Sequence, residues 1–103
     1  MMDPARFGKF PLHVQLGHIA SEVSRARVWA QKGEKGYSRG AIDRAIELVS
    51  LSEGAAMAPS WKKEFGRVKE TLEQFSDEPG TLDVGLAELE EYLTRIVASS
   101  GEE

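Results

Sequence analysis

The 103-residue chain is 41% hydrophobic and 29% charged, an ordinary balance for one globular domain spanning residues 1–103. It has no cysteine, which excludes disulfides and thiolate metal sites, and no apolar run long enough to cross a bilayer. Its net charge of −4 is unevenly spread, with 12 Lys or Arg against 7 Asp or Glu through Lys69, then 1 against 10 from Glu70 onward. An acidic total argues against non-specific nucleic-acid binding, while the uneven spread suits attraction within the fold or between subunits.

In chain order, residues 1–11 come first. Pro4 and Pro11 oppose helix, so this segment is expected to be an extended arm carrying Phe7 and Phe10. It lacks the continuous apolar core of a secretion signal, and a cytoplasmic location is expected. Leu12, Leu16, Ile19, Val23, Ala26 and Ala30 then recur every three or four residues, the spacing that places side chains on one helix face. This predicts a first long helix from about Leu12 to Lys32, with Gly33 in a left-handed cap.

A second helix is expected from Ser38, as N-cap, to Glu53, with Ile42, Ala45, Ile46 and Val49 inward. Pro59 suits the first position of a third helix, whose stripe is Trp61, Phe65, Val68, Leu72 and Phe75. Asp77-Glu78-Pro79-Gly80 reads as a turn, Thr81 as the cap of a fourth helix, and residues 99–103 as a frayed tail. The fourth stripe is Leu82, Leu86, Leu89, Leu93 and Ile96, with Val84, Tyr92 and Val97 beside it. The whole predicts an all-α, antiparallel four-helix up-down bundle with an extended N-terminal arm. Its expected core is Leu16, Ile19, Val23, Ile46, Val49, Phe65, Val68, Leu72, Leu86, Leu89, Leu93 and Ile96. Arg39 with Asp43, Lys69 with Glu73, and Glu91 with Arg95 are four apart and can pair on exposed faces.

Catalytic equipment is sparse. His13 and His18 are five apart and do not share a helix face, so they do not form a metal pair. His18 and Glu22, four apart, do share one, and the carboxylate could orient the imidazole. The carboxylates of the fourth helix lie off its leucine stripe, and the Glu-x-x-His of di-metal bundles does not occur. Phosphate-loop, dinucleotide and nucleophile-elbow motifs are also absent, so no catalytic residue, metal or cofactor is expected. Arg25, Arg27, Arg39 and Arg44, interleaved with Trp29 and Tyr37, form a candidate basic patch for phosphate backbones.

The stretch from Ala26 to Gly33 followed by Ala41 to Leu48 resembles a single tetratricopeptide-type hairpin. The likeness rests on Trp29, Gly33 and the phrase Ala45-Ile46-Glu47-Leu48, and no second copy follows. It implies helix-turn-helix packing and, by analogy, protein binding. A fainter likeness is to the small four-helix prokaryotic proteins partnered with nucleotidyltransferases. Their nucleolytic Arg and His pattern has no match after Arg25, Arg27, Arg39 or Arg44, so only an inactive relative is implied.

The expected role is therefore association, as a homo-oligomer or with a larger protein partner, with nucleic-acid binding as the alternative and no membrane partner. The candidate surface is Phe7, Phe10, Gly17, Ser21 and Tyr92. Gly17 and Ser21 form a strip of small residues where another helix could come close.

Overall fold

The computed structural model describes residues 4–77 and 82–100, with side chains within 5–75 and 85–98. Among these residues the chain forms five helices and no strand: α1 Pro4–Phe7, α2 Leu12–Gln31, α3 Lys35–Ala55, α4 Pro59–Asp77 and α5 Leu82–Ser100. Among the described residues no helix is long and apolar enough to cross a membrane.

α2 ends as its sequence predicts. Gly33 has φ 78°, and its N–H donates to Ala30 O while that of Glu34 donates to Trp29 O, so carbonyls of the last turn find partners beyond the helix. The next helix starts earlier than predicted, at Lys35, with Glu34 in the cap position. Ser38 is not a cap. It is a fully buried residue one turn inside α3, whose hydroxyl donates to Ala26 O across the hairpin at 2.8 Å. Ser52 does the equivalent at the far end, donating to Gln15 Oε1 at 2.7 Å. Residues near the start of α2 therefore meet the end of α3, and the end of α2 meets the start of α3.

α2 is the central element. It packs along both α3 and α5, and α3 packs along α4, whereas α4 and α5, consecutive in the chain, touch little. One cluster joins all four long helices. It holds Leu16, Ile19, Val23 and Ala26 of α2, Ala41, Ile42, Ala45 and Val49 of α3, Phe65, Val68 and Leu72 of α4, and Leu86, Leu89 and Leu93 of α5. Ile46 and Ile96, expected inside, are only partly buried against it. The alanines let α2 and α3 lie close near their turn, and the larger residues of α4 and α5 fill the remaining width.

The N-terminal segment departs from expectation. It is not an extended arm, because Pro4–Phe7 forms a short helix. Phe7 is 0% exposed. Its ring stands edge-on to Phe10 and to His18, with centroids 6.1 and 5.9 Å away. Gln15, buried on α2, donates its amide N–H to Phe10 O at 2.8 Å, fastening the segment to the first turn of α2.

The expected Thr81 cap and Val84 side chain lie outside the described residues, as do residues 101–103. α5 itself runs through Ser100, into what was expected as tail.

Candidate functional site

The inner face of α2 is not wholly apolar. Gln15, Ile19, Glu22 and Ala26 step by four, three and four residues, which places a carboxylate between core positions. Glu22 is 5% exposed. A buried carboxylate needs charged or donor partners, and Glu22 has two. Arg25 Nη1, one turn along α2, donates to its Oε1, and Arg44 Nε, from α3, donates to its Oε2. The arginine side chains remain 65% and 57% exposed, so the charge pair lies at the wall of a cleft rather than within the core.

That cleft lies between α2 and α3, is open to solvent, and has a volume of about 530 Å³. His18, Ser21, Glu22 and Arg25 line it from α2, and Arg44, Glu47, Leu48 and Leu51 from α3. The His18 ring stacks on Phe10, with centroids 6.1 Å apart and planes 22° apart. The imidazole is thus placed by rings, not by a carboxylate. Both oxygens of Glu22 accept from arginines, and no His18–Glu22 hydrogen bond forms among the described residues.

The four arginines of the candidate basic patch do not share one face. Arg25 and Arg44 face the α2–α3 cleft. Arg27 faces α5 and donates from Nε to Glu90 Oε2. The Glu90 hydrogen bond and charge hold the Arg27 guanidinium above its ordinary value. Arg39 is exposed on α3 with no ion pair among the described residues. The same holds for the expected surface pairs Arg39–Asp43, Lys69–Glu73 and Glu91–Arg95, none of which is closed.

The expected association surface is also redistributed. Phe7 is inside the fold and unavailable to a neighbour, and Phe10 is half-buried against His18. Gly17 does not serve a tight crossing within the chain, since a Cβ built there meets nothing within 4 Å. Ser21 is exposed at the rim of the cleft, and Tyr92 is 36% exposed on α5.

The more open apolar groups lie elsewhere. At the α2–α3 turn, Tyr37 is 63% exposed and packs on Trp29 with centroids 4.8 Å apart, while Lys32 Nζ lies 5.3 Å from the Trp29 ring. At the opposite end, Met57 is 95% exposed beside a recess of about 200 Å³. Leu12, Ala55, Ala56, Ala58, Trp61 and Phe65 supply the apolar walls of that recess. The link between α3 and α4 that carries Met57 was legible only as a connection, because an exposed methionine has no signature in periodicity.

Among the described residues no three His, Asp or Glu side chains converge as metal ligands. No protein family, curated protein or solved structure matches the chain.

Proposed function

We propose that the protein works by association, most simply as a homodimer, and that its four long helices form an antiparallel up-down bundle presenting an apolar end to a second copy. The carrying observation is the open recess beside Met57, walled by Leu12, Trp61 and Phe65. A fully solvated methionine next to an unfilled apolar recess is what an adaptable contact surface offers. The basic first part and acidic remainder of the chain add a means of registering one copy against another. The reading places the protein in the cytoplasm and assigns it no catalytic step.

Sedimentation equilibrium tests association. The expected result is a dimer that Met57→Lys shifts toward monomer. A wild-type chain that stays monomeric at high micromolar concentration overturns self-association. A phosphodiesterase and nucleotide-hydrolysis screen tests the second statement, and turnover lost in His18→Ala overturns it.

A further inference from the structure

The cleft between α2 and α3 is separate from the Met57 recess and has a different chemistry. Each guanidinium there carries five N–H donors. Arg25 commits one nitrogen, Nη1, and Arg44 another, Nε, to the buried Glu22 carboxylate. Their other donors remain at the wall of a solvent-filled cleft, on side chains more than half exposed. A solitary surface arginine samples many rotamers and loses them on binding. Here a carboxylate anchored in the inner face of α2 restrains two arginines at once, so less order remains to be imposed by a ligand.

We propose that this cleft binds a small organic phosphate, with its phosphoryl oxygens on Arg25 and Arg44 and its organic body against Leu48 and Leu51. Guanidinium forks match phosphate oxygens in pairs. The two arginines come from two helices, and Ser21 adds a hydroxyl from a third position on the same rim. Donors in such an arrangement suit a tetrahedral group with three free oxygens better than a planar carboxylate with two. The leucines supply an apolar wall, and His18, whose ring stacks on Phe10, lines the cleft beside them. The volume of about 530 Å³ falls within the range of small-ligand clefts. Glu47 lines the same cleft and opposes an anion, which fixes the sign of one variant in the test.

The test is an NMR titration of the full chain with phenyl phosphate, and with inorganic phosphate and phenol as separate titrants. Saturable amide shifts centred on Ser21, Arg25, Arg44 and Leu48 are expected with phenyl phosphate, weaker binding with inorganic phosphate, and no saturation with phenol. Arg25→Gln and Arg44→Gln should each weaken phenyl phosphate binding by roughly tenfold, the loss of one charge-assisted contact. Glu47→Gln should tighten it. Arg95→Gln removes the same charge from an exposed position on α5 and should leave it unchanged. Arg25 is exposed enough that its substitution spares the core, and amide dispersion reports directly that the variants are folded. Absence of saturation, shifts centred outside the cleft, or an equal loss in Arg95→Gln would overturn the proposal.

Discussion

Gly85 of α5 lies beneath the ring of Phe75 of α4: a Cβ built on Gly85 would stand 2.5 Å from Phe75 Cε1 and 2.7 Å from Cζ. Here α4 and α5 come close, and any Cβ at this position would force the Phe75 ring to move. Alanine would gain about 1 kcal/mol in helix propensity at this position. Overpacking costs about 1–3 kcal/mol, so Gly85→Ala should be net destabilising. A lowered urea midpoint checks this, and adding Phe75→Leu should recover most of the loss.

Gly17 should behave in the opposite way. Nothing lies within 4 Å of a Cβ built there, so Gly17→Ala should keep its propensity gain of about 0.5–1 kcal/mol. Thermal unfolding should move upward in dilute solution. A midpoint that falls instead would mean that another backbone approaches this face.

Phe7→Ala should cost about 3–5 kcal/mol, as for a buried aromatic in a core, although the residue lies in a short helix before the first long one. Its ring is wholly enclosed and touches Phe10 and His18. Chemical denaturation measures the loss. A cost below about 1 kcal/mol, the level of an ordinary surface change, would show that the segment is not part of the folded unit.

Ser52→Ala should cost about 1–3 kcal/mol, the range for leaving a buried polar partner unsatisfied. The hydroxyl is the donor to Gln15 Oε1, and both residues are buried. Because Gln15 also holds Phe10 O, hydrogen exchange should quicken at the N-terminal segment as well as in α3.

The Arg27–Glu90 pair carries a pH prediction of definite sign. The Arg27 guanidinium is held above its ordinary value, so the stability it adds is intact below the unfolded-state value and is lost only as pH rises beyond the folded one. Between about pH 6 and about pH 9, far from the guanidinium range, the difference in urea midpoint between wild type and Arg27→Gln should therefore stay constant. A difference that shrinks across that interval would contradict the assignment.

Much of this was legible in the sequence, and the exceptions have a common cause. The apolar stripes placed all four long helices, because burying one face against a shared core requires that spacing. The α3 stripe was read too short. Its full run is Ser38, Ile42, Ala45, Val49 and Ser52, with hydroxyls at both ends, and a reading that counts only apolar residues discards them. Glu22 was hidden for the same reason, since a carboxylate on an inner face looks like a break in the pattern until its arginines are found. One of these, Arg44, comes from another helix, and no local spacing could have paired it with Glu22. Phe7 was misplaced because two prolines were taken to forbid helix, although proline at a first helical position costs no hydrogen bond. The Met57 recess belongs to the meeting of three helix ends and has no linear signature.

The position of α5 in the packing has a kinetic consequence. α2 and α3 meet across a tight turn, so their pairing requires little chain closure, but the partner of α5 is α2, and the contact between Arg27 and Glu90 spans 63 residues. Closing so long a segment is an entropic cost met only after its intervening parts have become compact. The last helix thus joins the central one only through contacts distant in sequence, the kind that slow folding. Its loss would strip one flank from the central helix, although the two lie at opposite ends of the chain.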